Sequence, residues 1–169
     1  MSKFLCHSCG QWHDGIPRSY ASEAPARLYS IPVAEREARV DIVSDQCVLD
    51  SSEFFVLANI EIPILGSAEH FAWSVWVSLS EADFLRASEL WTTAGRESEP
   101  PYVGSVGSAL PCYPDTLNLG AQVVTRPVGE KFVLRLEPSE HPLALEQRRG
   151  ISWARVQEIA EQVHHGAAV

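Results

Sequence analysis

The sequence predicts an α+β domain: a mostly antiparallel sheet, about three helices packed on it, and an N-terminal turn resembling a zinc knuckle. Three observations favour this class. Strand-forming runs dominate residues 38–80, helical patterns occupy residues 81–95 and 141–165, and two cysteines separated by two residues stand near the start. Because 169 residues fit one hydrophobic core, we expect a single domain over residues 1–169.

The N-terminal knuckle occupies residues 1–15. A short strand-forming segment enters the motif Cys6-x-x-Cys9, and Gly10 follows it with the freedom to adopt the positive φ of a tight turn. Three prolines in residues 16–32 favour extended coil, with a short helical turn at residues 33–37. The segment is too short for an interdomain linker, so we expect the knuckle to pack against the main sheet.

The strands of residues 38–80 are predicted from alternating and continuous apolar patterns. Residues 39–43 alternate, and residues 54–58 and 60–64 predict two further strands. The clearest strand covers residues 71–79, in which every odd position is apolar. These strands should form the core of the sheet.

The second half of the chain should contain the helices and a hairpin. A helix of about four turns over residues 81–95 begins at the N-cap Ser80, and residues 102–115 predict a long loop or an irregular edge segment. A hairpin follows over residues 120–137. Residues 141–165 then predict two helices, which start at His141 and Ser152.

The charge of the chain argues against nucleic acid as a partner. Thirteen basic and 22 acidic residues give a formal net charge of −9, which repels phosphate backbones. No apolar run approaches the length of a membrane span, and the first residues do not resemble a signal peptide. We therefore expect no membrane association and a cytoplasmic location with reduced cysteines.

The strongest chemical signal is the pair Cys6 and Cys9. Two intervening residues let both sulfurs approach one tetrahedral zinc ion, and His13 is a third ligand candidate nearby. A closed structural site needs a fourth ligand from a distant position, for which Cys47 and His141 are candidates. The alternatives are a structural turn with free thiols and a thioredoxin-like redox pair, which the predicted ribbon-like turn disfavours.

The remaining histidines have simpler interpretations. An alternative role for His141 is to cap the helix that begins at the following proline. His7 should face solvent, since the neighbouring cysteines already supply thiolates. His164 and His165 are expected to interact with the C-terminus of the last helix or to belong to a frayed tail.

No catalytic motif is complete in this sequence. It contains no nucleophile elbow, no phosphate-binding loop and no dinucleotide fingerprint. We therefore assign no catalytic and no organic-cofactor residues, and the sequence favours a protein that is not an enzyme.

Several motifs in one order nevertheless resemble a known family. They are the knuckle with Gly10 and His13, DQCVLD at 45–50, FF at 54–55, WSVWVSLS at 73–80, LPCYPDT at 110–116 and HPLA at 141–144. Together they resemble a bacterial family known as domain of unknown function 2199. The resemblance implies a bacterial source and favours placing His141 near the knuckle, but it lends no activity. Cys112 stands where that family commonly has glycine, so it is not counted as a ligand.

The function these observations favour is a non-enzymatic, zinc-stabilised protein-interaction module of a bacterial cytoplasm. Its metal ligands would be Cys6, Cys9, His13 and His141, and the loop of residues 102–115 would meet a protein partner. One alternative is a zinc enzyme that keeps a coordination position open for water, with Glu or Asp as the base. Another is an immunity-type inhibitory protein, suggested by small size and acidity. The sequence predicts no oligomeric state.

Overall fold

A computed structural model describes residues 3–166 and shows ten strands and four α-helices in that part of the chain. The helices are α1 (Arg36–Arg39), α2 (Glu81–Glu89), α3 (Pro142–Arg149) and α4 (Trp153–His165). The strands are β1 (Lys3–Leu5), β2 (Trp12–Asp14), β3 (Ser19–Ala21), β4 (Val40–Val43), β5 (Gln46–Leu49), β6 (Glu53–Pro63), β7 (His70–Leu79), β8 (Tyr102–Val106), β9 (Gly120–Val124) and β10 (Phe132–Leu136).

Strands β6 to β10 form a closed barrel. Neighbours pair antiparallel around the ring from β6 to β10, and β10 then pairs in parallel with β6. Gly104 lets β7 and β8 approach closely, because a Cβ atom there would lie 2.7 Å from the carbonyl oxygen of Ser78. The remaining strands β3, β5 and β4 extend the sheet beyond the ring, while β1 and β2 form a separate ribbon.

The α+β class is confirmed and most strand pairs are antiparallel, but the sequence did not predict that the sheet closes on itself. The sheet closes into a five-stranded barrel, and the short α1 brings the number of helices to four in residues 3–166. Periodicity reports which residues of a strand are buried, not which strands pair. The parallel contact of Phe132 with Ala58 that closes the barrel therefore leaves no local signal.

The main core lies on one face of the barrel strands. It includes the odd positions of β7 and joins them to buried side chains of α2, α3 and α4, such as Phe84, Leu143 and Ile159. Because α3 and α4 pack on this core, the last helix is held against the body of the domain.

A second core covers the opposite face of the strands. Leu28 and Ile31, from the proline-containing segment, pack there against Phe55 and Trp76. The segment that the sequence identifies as coil is thus a cover for the outer surface of the barrel. It includes a 3-10 helix at Ala26–Ser30.

Three predicted elements differ in their bounds. The two strands expected at 54–58 and 60–64 are the single strand β6, because Asn59 accepts a 2.6 Å hydrogen bond from the Ser74 hydroxyl on β7 and so stays within the sheet. The helix expected at 81–95 ends at Glu89, before a turn that leads to Gly95 with φ +86°. The long loop or irregular edge segment expected at 102–115 begins with β8, which is a barrel strand between β7 and β9.

The helix starts agree with their capping residues. The Ser152 hydroxyl accepts a hydrogen bond from the Arg155 amide at 3.2 Å and so begins α4.

No helix among residues 3–166 has the length and apolar character that a membrane crossing requires.

Candidate metal centre

The N-terminal ribbon places both knuckle cysteines and one histidine together. Strands β1 and β2 pair antiparallel with Phe4 opposite His13. Between them, the Cys6 amide donates to the carbonyl oxygen of Gln11, and the Gly10 amide donates to that of Cys6, both at 2.9 Å. These bonds close the turn that carries Cys6 and Cys9.

The last helix brings a second histidine to this turn. The Sγ atom of Cys6 lies 3.2 Å from Nε2 of His165, and the Sγ atom of Cys9 lies 3.3 Å from Nε2 of His13. The four ligand atoms all lie within 4.8 Å of one another. The described residues 3–166 contain no second group of this kind.

The four residues differ in their contact with solvent. Cys6 is 1% exposed, His13 is partly buried, and Cys9 and His165 are exposed. The group therefore sits at the surface and is anchored on one side by a buried sulfur.

The environment of Cys6 favours its thiolate form. Burial opposes the charge, but the backbone N–H groups of Cys9 and Ser8 hydrogen-bond to the sulfur and hold the pKa of the Cys6 thiol below its ordinary value. A thiolate is the form that ligates metal ions.

Helix α4 holds the ribbon through a second set of contacts. The carboxylate of Glu161 is buried and accepts hydrogen bonds from the His7 amide and from the Gln157 side chain, both at 2.9 Å. Gln157 also donates to the carbonyl oxygen of Leu5 at 3.0 Å. The bond from Gln157 and that from the His7 amide lower the pKa of Glu161. The ribbon and α4 are therefore joined beside the cluster as well as within it.

Aromatic contacts and a cavity complete the surroundings. The His13 ring stacks on Phe4 with a centroid distance of 5.4 Å and meets His164 edge-on at 5.7 Å. A cavity of about 160 Å³ adjoins the cluster, with Asp14 and Glu161 among its lining residues. Carboxylates thus lie near the candidate ligands without belonging to the cluster.

His141 lies outside the cluster. Its Nδ1 atom accepts a hydrogen bond from the Leu143 amide at 3.1 Å and caps α3, while its Nε2 atom lies 3.1 Å from the carbonyl oxygen of Asp115. Both ring nitrogens therefore have partners at the start of α3. This is the helix-capping alternative, and it removes His141 from the proposed ligand set.

Cys47, the other remote candidate, is also absent from the cluster. It is fully buried in the second core, and burial raises the pKa of its thiol to about 11. Cys47 is therefore a neutral core residue.

The loop expected to meet a partner is largely fixed to the core. Tyr102, Val106 and Leu110 are buried, and the Ser108 hydroxyl accepts a hydrogen bond from the Trp76 amide at 2.9 Å. The expectation of an exposed loop over residues 102–115 is therefore wrong for its first half.

His165 is the cluster member that sequence reasoning missed. It was expected to interact with the helix terminus or to belong to a frayed tail, yet α4 continues to it. The available signal was the apolar stripe of α4, which runs through Ile159 and Ala160 toward the histidine pair and fixes that end of the helix against the domain.

A five-stranded barrel whose two terminal segments meet at two cysteines and two histidines defines a class: an α+β domain with a candidate metal centre. The chain belongs to the family described as "Uncharacterized protein conserved in bacteria (DUF2199)", whose model matches residues 5–151. This confirms the resemblance seen in the sequence motifs. The match includes Cys6, Cys9 and His13, whereas His165 lies beyond its last residue. No curated protein and no solved structure matches the chain.

Proposed function

We propose that this protein binds one zinc ion through Cys6, Cys9, His13 and His165, as a non-enzymatic protein-interaction module of the bacterial cytoplasm. The observation that carries the proposal is the meeting of four ligand atoms, from both ends of the chain, within 4.8 Å. The ion would fasten the ribbon of β1 and β2 to helix α4.

The donor set and its spacing fit zinc. Two thiolates and two imidazoles are a common tetrahedral set for structural zinc, with Zn–S near 2.3 Å and Zn–N near 2.0 Å. Such a site separates neighbouring sulfur and nitrogen atoms by about 3.5 Å. The Cys6–His165 and Cys9–His13 separations of 3.2 and 3.3 Å are close to this value.

A structural role follows from the size of the ribbon. Its two strands have three residues each, and isolated two-stranded ribbons are marginal in water. Four protein ligands fill a tetrahedral coordination shell and leave no position for a substrate. Zinc in this site would therefore stabilise the N-terminal segment and perform no reaction.

The outer face of the ribbon supports a role in protein contact. Leu5 and Trp12 are cross-strand partners, and they are 42% and 65% exposed. Tryptophan is enriched among residues that dominate binding energy at protein interfaces. A ribbon stiffened by zinc would present this pair in one fixed orientation.

The cavity beside the cluster favours one competing proposal, a zinc enzyme. In that alternative a water molecule replaces one protein ligand, and Asp14 or Glu161 acts as the base. The Oε1 atom of Glu161 already accepts hydrogen bonds from the His7 amide and the Gln157 side chain, so this carboxylate helps to hold the ribbon against α4. This observation favours the structural role over the catalytic one.

Metal analysis and zinc K-edge absorption test the proposal. Protein purified without chelators should contain one zinc ion per chain, and the absorption spectrum should fit two sulfur and two nitrogen ligands. Three protein ligands with an added oxygen would support the enzyme instead. Protein without stoichiometric zinc would contradict both.

Affinity capture from a lysate of the source bacterium tests the contact surface. Trp12→Ala removes the exposed ring, and Tyr29→Ala is a matched control, because Tyr29 is 58% exposed at a different place. We expect wild-type protein and Tyr29→Ala to retain the same partner and Trp12→Ala to lose it. Equal retention by all three proteins would rule out the ribbon face.

A further inference from the structure

We propose that Cys6 and Cys9 are also a site of reversible oxidation by peroxides, at which disulfide formation expels the zinc ion and loosens the attachment of the ribbon to α4. This inference rests on the proposed zinc site.

The geometry allows a disulfide without rearrangement of the strands. The two sulfur atoms belong to one turn and lie within 4.8 Å of each other, and the two residues between them are the spacing of cysteine pairs that form a disulfide within one turn. Cys47 is sealed in the second core, and Cys112 lies outside the cluster. Cys6 and Cys9 are therefore the pair placed to react with each other.

The two sulfurs differ in accessibility, as an attacking and a resolving thiol do. Cys9 is exposed, whereas Cys6 is 1% exposed. A peroxide in solvent therefore reaches the Cys9 sulfur first. The Cys6 sulfur is protected from the solvent oxidant but remains next to Cys9.

The reaction proceeds in two balanced steps. The Cys9 thiolate attacks one oxygen of hydrogen peroxide, the O–O bond breaks, and hydroxide leaves and takes up a proton to form water. The Cys6 thiolate then attacks the sulfur of the Cys9 sulfenic acid, the S–S bond forms, and a second hydroxide leaves as water. Two thiolates, one peroxide and two protons thus give one disulfide and two waters.

Loss of the thiolates removes half of the coordination shell. The ion would keep only His13 and His165 as protein ligands, and two imidazoles hold zinc far more weakly than the complete set. The remaining polar contacts of the ribbon with α4 centre on Glu161 and Gln157, next to the same turn. Oxidation would therefore loosen the ribbon and change the presentation of Trp12.

The test follows zinc and thiols together. Protein loaded with one equivalent of zinc is treated with hydrogen peroxide, released zinc is measured with a chromogenic chelator, and free thiols are counted. We expect two of the four thiols to disappear for each zinc ion released. Mass spectrometry should find Cys6 linked to Cys9, and dithiothreitol with zinc should restore the starting protein.

Hydrogen exchange measures the loosening of the ribbon. Amide exchange in residues 3–14 should accelerate about tenfold after oxidation, while exchange in β6 and β7 should not change. Cys112→Ser is the matched control, and it should behave like the wild type throughout.

Results that contradict the oxidation can be told apart from those that contradict the zinc site. Retention of zinc while Cys6 and Cys9 become linked, or zinc release without that link, would overturn the inference and leave the zinc site standing. Protein that holds no zinc before peroxide is added would overturn the proposed site and this inference together.

Discussion

The Nε2 atom of His165 lies 3.2 Å from the Sγ atom of Cys6, although 159 positions separate the two residues in the chain. A metal ion held by both would close a loop that contains most of the protein. The entropy that such a link removes from the unfolded chain grows with the length of the loop. Zinc at this place would therefore stabilise the whole domain as well as the knuckle.

The position of His141 predicts that its replacement affects stability and leaves zinc binding intact. His141→Ala removes the side-chain cap of α3 and should lower the free energy of unfolding by about 1 kcal/mol. The zinc content should stay at one ion per chain, because both ring nitrogens contact other groups. Loss of zinc from this variant would show that His141 belongs to the metal site after all.

Replacement of Arg96 should greatly lower the free energy of unfolding. Its guanidinium is buried, lies over the rings of Trp91 and Phe132 at 5.6 and 5.0 Å from their centroids, and donates to four backbone carbonyls. Arg96→Met would remove the donors that the guanidinium supplies to these carbonyls and should cost about 3 kcal/mol in urea unfolding. Arg126→Met is the control, since Arg126 makes only an exposed ion pair and should change stability by less than about 0.5 kcal/mol. Similar losses in both variants would contradict this role.

Glycine at position 112 should stabilise the fold relative to alanine. Its φ of +73° lies in the left-handed region, where a Cβ atom is unfavourable. Cys112→Ala and Cys112→Gly both remove the thiol, so their difference isolates the effect of Cβ. We expect the glycine variant to be more stable than the alanine variant by about 1 kcal/mol in urea unfolding. A more stable alanine variant would refute backbone strain at this turn.

Asp50 should contribute to the loss of folding stability at low pH. Arg39 donates two hydrogen bonds to its carboxylate, at 2.6 and 2.8 Å, and lowers its pKa below the ordinary 3.8. As pH falls, Asp50 therefore takes up its proton at a higher pH in the unfolded chain than in the folded protein. The stabilisation by the ion pair is fully present above pH 3.8 and is lost as pH falls through the lower pKa that Asp50 has in the folded protein.

Asp50→Asn tests this pH dependence with little change in backbone preference. Asp50 has a φ of +53°, and asparagine tolerates that conformation. The variant should be less stable than the wild type at neutral pH, and its stability should fall less steeply below pH 3.8 in acid titrations of unfolding. Parallel curves for the two proteins would exclude Asp50 as a contributor.

The sequence predicts local structure well where burial repeats regularly. The odd positions of β7 are all buried, because that face turns toward the main core. The same strand also buries Trp76 on its other face, which the pattern of odd positions does not indicate. That second burial depends on the proline-containing segment folding back over the barrel, a non-local event.

In the candidate site, the residues close in sequence could be predicted and the distant one could not. Cys6, Cys9 and His13 lie within eight residues of one another, so their spacing alone indicates that they lie close together in the fold. His165 reaches them only because α4 packs on the main core with its last turn beside the ribbon. No spacing rule links such distant positions, and His141 was an equally acceptable choice by residue type.

A comparison of two adjacent histidines tests whether one zinc ion joins the N-terminal ribbon to α4. His165 belongs to the cluster and His164 does not, although both lie at the end of α4. Zinc affinity is measured by competition with a chelator of known strength for the wild type, His165→Ala and His164→Ala. We predict that His165→Ala weakens binding about 100-fold, whereas His164→Ala changes it less than about threefold. Equal affinity of His165→Ala and the wild type would contradict a zinc ion shared by the two ends of the chain.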